Sequence, residues 1–167
     1  ARDLRLNISS VLTPQGAPGL TEAQLWMVAL ASAIASRNAE LARTVEAEAT
    51  ARLTQTGIEA ARAAAAIMGM NNIYYRFLHL VEDEEYAKLP ARLRMNVIGS
   101  PGIPKADFEL VSLAVSAVNG CGKCVTAHER VLRQHEVSRE AVQSAVRIAS
   151  VMHAVAGVLD YEAARAA

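Results

Sequence analysis

The chain has 167 residues, room for one ordinary domain, and its 17 Lys and Arg against 17 Asp and Glu leave it formally neutral. Non-specific affinity for DNA or RNA comes chiefly from Lys and Arg meeting phosphates, so this balance argues against nucleic acid as the main partner. Hydrophobic residues make up 52% of the chain and aromatics only 4%, which points to a core of small, helix-favouring side chains that needs no disulfide staples at this length.

The opening Ala1-Arg2-Asp3-Leu4-Arg5-Leu6 is charged and has no apolar run after it, so no export signal is expected there. Charge-free stretches such as Ala23 to Ser36 fall short of the ~20 residues of a membrane span, and the expectation is a cytoplasmic protein without a membrane anchor. Thr21-Glu22-Ala23-Gln24 has the spacing of a capping box. Leu25, Val28, Ala29, Ser32 and Ala33 then recur at helical spacing up to Arg37-Asn38. Asn38 is placed to cap a second helix with Leu41, Val45, Ala49 and Leu53 on one face. A third runs from Ile58 to about Val81, and its stretch Ala63 to Met70, apolar nearly all round, predicts a central position. Glu82-Asp83-Glu84-Glu85 reads as a solvated connector.

A short helix is expected over Ala91 to Gly99, before Ser100-Pro101-Gly102-Ile103-Pro104 forces a turn. An apolar helix follows from Lys105 to Val118, Asn119-Gly120 stops it, Cys121 opens another to about Gln134, and Ser138 caps a last one through Asp160 or beyond. With no strand pattern, the expected fold is all-α, a compact orthogonal helical bundle in a single domain over residues 1–167. An echo at an offset of about fifty residues, pairing Ile58-Glu59 and Gly69 with Phe108-Glu109 and Gly120, suggests an internal two-helix duplication.

The two cysteines, Cys121 and Cys124, form a lone CxxC, which in a chain of this size reads as redox or metal chemistry in a reducing compartment. A helix N-terminus and a neighbouring cation both favour a thiolate, and the sequence supplies the helix start at Cys121 and Lys123 between the thiols. At about 100° per residue Cys121, Cys124 and His128 share an arc of roughly 60°, so the thiols can meet and the imidazole lies one turn beyond Cys124, suited to act as its base or acid. If the helices flanking Gly120 fold back on each other, Glu109 lies about 16 Å along one arm and His128 about 10 Å along the other. Glu109 is then either the carboxylate end of a Glu–His–Cys relay or a simple acid serving its helix dipole. His135 reads as a partner of a helix C-terminus, and His79 and His153, in apolar surroundings, as core or interface residues. A structural zinc site wants four ligands, and only Cys121, Cys124 and His128 converge, so no bound metal or cofactor is expected.

The pattern Glu109-x11-Cys121-x2-Cys124-x3-His128 resembles the AhpD-type alkyl hydroperoxide reductases of the carboxymuconolactone decarboxylase-like superfamily. The likeness extends through Leu6-Asn7-Ile8-Ser9-Ser10, Gln24-Leu25-Trp26, the segment Ala65 to Asn72, Leu93-Arg94-Met95-Asn96 and Pro101-Gly102-Ile103-Pro104-Lys105. The resemblance implies a homotrimer whose CxxC cycles between dithiol and disulfide. It implies weak reduction of alkyl hydroperoxides and, mainly, transfer of electrons from a lipoylated dihydrolipoamide acyltransferase to an AhpC-type peroxiredoxin. It assigns Cys124 as the peroxide-attacking nucleophile, Cys121 as its proton donor and disulfide partner, and Glu109 and His128 as the proton relay. Helix-terminus physics alone favours Cys121 as the lower-pKa thiol.

This sequence has Lys123 where well-known members have a relay histidine. Lysine stabilises a thiolate by charge but shuttles protons poorly near neutrality, so peroxide reduction is expected to suffer more than disulfide exchange. Two other readings stand beside the oxidoreductase: a non-redox decarboxylase of the same superfamily, which has no need of a CxxC, and an oligomeric module whose cysteines sense oxidation or hold metal.

Overall fold

A computed structural model describes residues 2–166, and all regular structure among them is helical. The order is α1 (Arg2–Val11), α2 (Glu22–Ala35), α3 (Ala39–Thr50), α4 (Gln55–Leu80), α5 (Glu84–Lys88), α6 (Asn96–Gly99), α7 (Lys105–Val118), α8 (Gly122–Gln134) and α9 (Arg139–Ala166).

Helix starts follow the chemistry of their caps. Thr21 closes the expected capping box, its Oγ1 accepting from the Gln24 amide at 3.1 Å while Gln24 Oε1 accepts from the Thr21 amide at 2.9 Å. The same Gln24 side chain donates to Asp107 at 2.7 Å, fastening the start of α2 to the start of α7. Asn38 caps α3 through Leu41, Thr54 caps α4 through Gly57, and Ser138 opens α9 by accepting from Ala141.

The core is built around α2 and α7, the two helices buried on every side. All residues from Leu25 to Ala33 and from Phe108 to Ser116 are buried. Small side chains permit this, because Ala29, Ala31, Ala33 and Ala114, all fully buried, let neighbouring helices approach closely. Around this pair pack α4 and α9, with Ala61, Ala64, Met68, Ile148 and Met152 directed inward.

The central position expected for α4 needs correction. Its run of small residues buries one side only, while Ala66, Ile73 and Phe77 on the other side are exposed, Ile73 by 58% and Phe77 by 45%. Alanine-rich sequence looks apolar all round whether or not both sides are covered. Nor does the echo hold locally: α4 runs through Gly69 unbroken, whereas Gly120, with φ of +68°, ends α7. His79 and His153 are exposed rather than buried in the core.

Two helices were missed and one was overextended. In α1 the core contacts are only Ile8 and Val11, too few to stand out among charged and polar neighbours. The acidic connector forms the start of α5, with Asp83 accepting from the Glu85 amide and acids at the positive end of the helix. Arg92, with φ of +53°, interrupts the helix expected from Ala91, leaving only α6. Helix α9 is long and apolar enough to cross a membrane by length and composition alone. Its stripe Ala145, Ile148, Ala149, Met152 and Ala156 packs into the core.

Candidate active site

The site is the hairpin of α7 and α8. Pro104 precedes α7 and cannot continue a helix backwards, and Gly120 supplies the left-handed residue that ends it. The Cys121 amide then donates to Ser116 O at 3.1 Å, closing the turn and delivering Cys121 to the N-cap of α8. The turn is braced from α4. Buried Asn72 donates to Ser116 Oγ at 2.8 Å and accepts from the Asn119 side chain at 2.9 Å, and Arg76 donates to the Asn119 carbonyl at 2.6 Å.

Cys121 and Cys124 are joined as a disulfide. Cys121 is fully buried and its Sγ accepts from the Cys124 amide at 3.3 Å, the cap contact expected of a sulfur at a helix N-terminus. Cys124 is 7% exposed and faces a cavity. The expected fold-back brings His128 Nδ1 to 2.6 Å from Glu109 Oε2, with Glu109 itself buried. Glu109 thus meets His128 across the hairpin rather than standing alone at its helix start.

A second cation joins them. Lys105 Nζ lies 3.1 Å from Glu109 Oε1, one turn earlier on α7. Burial works to raise the Glu109 pKa, but the hydrogen bonds and charges of His128 and Lys105 outweigh it and hold the carboxyl below its usual value. Glu109 is thus an anion, so the facing ring nitrogen carries the proton and donates it to the carboxylate. His128 also lines the cavity beside Cys124.

That cavity has a volume of about 280 Å³. Met68, Tyr75, Met95, Ile98 and Ala127 give it an apolar lining, and Cys124, His128 and Asn71 supply polar atoms. Lys123 is exposed, its Nζ 6.0 Å from the Tyr75 ring centroid, and it stands between this cavity and an open groove of about 840 Å³. The groove carries Glu82, Asp83 and Glu84 on one side and Gly122, Thr126 and Arg130 on the other. Among the described residues no cluster of three or more His, Cys, Asp or Glu is placed to hold a metal ion.

Glu109, Cys121, Cys124 and His128 converge as their spacing suggested, with Lys123 at the mouth of the cavity. Sequence reasoning passed over Lys105, although the i, i+4 spacing to Glu109 was a usable signal. It also passed over Asn71, Asn72 and Arg76, where two adjacent amides inside an apolar helix were the clue, since buried amides need partners.

Residues 84–167 match the carboxymuconolactone decarboxylase family, a segment that holds Glu109, both cysteines and His128. The chain is 57% identical over 164 residues to a Rhodospirillum centenum protein named alkyl hydroperoxide reductase AhpD, covering 98% of this chain and 87% of that one. Proteins of the same name from Gluconacetobacter diazotrophicus and Streptomyces griseus are 56% and 55% identical over 98% of this chain and 88% and 90% of their own lengths.

Proposed function

Because the chain belongs to the carboxymuconolactone decarboxylase family, and matches over nearly its whole length relatives named alkyl hydroperoxide reductase AhpD, we propose that it reduces alkyl hydroperoxides through Cys121 and Cys124. The observation that carries this reading is the shared apolar cavity, onto which Cys124 and His128 both open while Cys121 lies buried behind. A decarboxylase would have no use for that thiol pair.

In the reduced protein, the Cys124 thiol gives its proton to the free ring nitrogen of His128, and the thiolate attacks the terminal oxygen of ROOH, breaking the O–O bond. The sulfur becomes a sulfenic acid, and the departing alkoxide takes a proton from His128, which Glu109 steadies, to leave as ROH. The Cys121 thiolate, favoured by its helix N-terminus, then attacks the Cys124 sulfur. Hydroxide leaves, takes up the proton that Cys121 gave up in forming its thiolate, and departs as water as the disulfide forms. An external dithiol reverses the oxidation. Attack on Cys124, the sulfur facing the cavity, expels Cys121 as the thiolate that the α8 N-terminus stabilises, and a second exchange releases the oxidised dithiol.

The electron donor in this reading is a lipoylated dihydrolipoamide acyltransferase and the acceptor an AhpC-type peroxiredoxin, with the charged groove beside Lys123 as the approach for both. The working unit is a single domain over residues 1–167, assembled as a cytoplasmic homotrimer. The uncovered apolar side of α4, with Ile73, Phe77 and Leu80, supports assembly, since a monomer rarely leaves so many large apolar side chains together in water.

A reconstituted assay tests the whole cycle: tert-butyl hydroperoxide consumption with a lipoylated subunit and a peroxiredoxin, each omitted in turn, alongside DTNB counts of thiols before and after dihydrolipoamide. Peroxide loss that depends on this protein, with two thiols appearing on reduction, is expected. A pair that dihydrolipoamide leaves oxidised, or a dithiol form inert to peroxide, defeats the reading.

A further inference from the structure

We infer that Met95 sets the preference of this site among hydroperoxides, by closing the cavity over the alkyl group with a flexible thioether side chain. The inference rests on the cavity beside Cys124 being where the hydroperoxide reacts, and it adds a specificity-determining residue outside the α7–α8 hairpin.

A volume of about 280 Å³ is far more than the two oxygens of a peroxide fill, so most of the cavity is left for an organic group. The reacting groups, Cys124 and His128, stand on the α8 side. With the peroxide oxygens against them, the alkyl carbons rest on the apolar walls that α4 and the α6 segment supply, Met68 and Tyr75 on one and Met95 and Ile98 on the other.

These wall residues differ in what else they do. Met68 is 2% exposed and part of the core, and Ile98 packs against the core. The Tyr75 ring lies 6.0 Å from Lys123 Nζ. Met95 stands outside the core cluster, half-buried, at the N-cap of α6, a helix of four residues with no side-chain hydrogen bond at that cap. Its sulfur lies 4.0 Å from the Tyr75 hydroxyl, so its side chain joins the α6 wall to the α4 wall. A thioether is a weak acceptor, and that contact gives way at little cost. An apolar side chain that stands apart from the core and lines a cavity is accounted for by what the cavity takes. Methionine suits the task, being unbranched, polarisable and able to repack around groups of different shape. A buried methylene is worth roughly fourfold in binding, so an alkyl group packed on Met95 gains with its size, while hydrogen peroxide, which has none, gains nothing.

Met95→Gln tests this, because it keeps the length of the side chain and sets an amide against the alkyl group, which strips that amide of water. Stopped-flow oxidation of the reduced protein should slow about tenfold for cumene hydroperoxide, less for tert-butyl hydroperoxide, and by no more than about twofold for hydrogen peroxide. A residue that merely held the fold would slow all three alike. Met95→Leu, apolar and close in volume, should keep the wild-type ratios of the three rates within about threefold. Met95→Ser should repeat the glutamine pattern if the glutamine variant folds poorly. Slowing by one common factor with all three peroxides, or with none of them, overturns the inference, as does a leucine variant that loses the preference along with the glutamine one. A wild-type dithiol inert to all three peroxides defeats the proposed function itself, and the Met95 role with it.

Discussion

His128 Nδ1 lies 2.6 Å from Glu109 Oε2 across the α7–α8 hairpin, and that contact leaves the other ring nitrogen unengaged by the carboxylate. A carboxylate only accepts, so it fixes one imidazole tautomer. The amide of Glu109→Gln both donates and accepts and loses that control. Its rate of peroxide oxidation is expected to drop about tenfold, and that of His128→Ala about a hundredfold or more, within the range of about 10²–10⁴ for general acid–base catalysis. Stopped-flow oxidation of the reduced proteins measures both. A Glu109→Gln rate equal to wild type would show that the carboxylate serves only the fold.

The same carboxyl predicts a pH dependence of stability. Its folded pKa lies below the usual value of about 4.5, so the unfolded chain takes up a proton first as the solution is acidified. The stabilisation from the Lys105 and His128 contacts is therefore complete above about pH 4.5 and is lost as pH falls from there through the lowered folded value. Thermal midpoints measured from pH 7 down to pH 3 should fall less steeply in Glu109→Gln than in wild type. Parallel curves would mean that the carboxyl titrates alike folded and unfolded.

How much of this was readable in the sequence depends on whether a feature is local. Pro104, Gly120 and Ser138 punctuate the helices by backbone geometry, and the spacing of Cys121, Cys124 and His128 follows from the helical repeat, so the hairpin and the meeting of Glu109 with His128 were legible. The cavity was not, because α4, α6 and α8 enclose it together, a matter of packing between segments far apart in the chain. The one-sided burial of α4 was hidden for a related reason: alanine gives little contrast between a face that packs and a face that does not.

Asn72 braces the turn that carries the cysteines. Asn72→Leu strands the Ser116 hydroxyl and the Asn119 amide beside the turn that carries Cys121, a loss of about 2 kcal/mol, or about 4–8 °C in Tm. Peroxide oxidation and reduction by dihydrolipoamide should slow together, because both need the α8 N-terminus in register. Calorimetry with the two half-reactions measured separately checks this, and unchanged stability would remove Asn72 from its bracing role.

Lys123 stands at the mouth of the cavity beside Cys124. Lys123→His replaces a point charge with a proton carrier at the position next to the reacting sulfur. The expected result is a several-fold rise in hydroperoxide turnover, with dihydrolipoamide exchange little changed. Unchanged turnover would mean that His128 already supplies every proton the peroxide step needs.

Burial orders the two thiols. Cys124 borders the cavity and Cys121 is enclosed behind it, its sulfur held by the Cys124 amide. Cys121→Ser should still react once with hydroperoxide, at a rate within a few-fold of wild type, and stop as a Cys124 sulfenic acid that dimedone traps, since no second thiol is left in the chain. Cys124→Ser should be inert to the same peroxide, because the buried Cys121 thiolate has no path to it. Mass spectrometry of the dimedone adducts distinguishes the two. A dimedone adduct on Cys121 in the Cys124→Ser protein, formed as fast as wild-type oxidation, would reverse the order and make the helix-capping sulfur the attacking one.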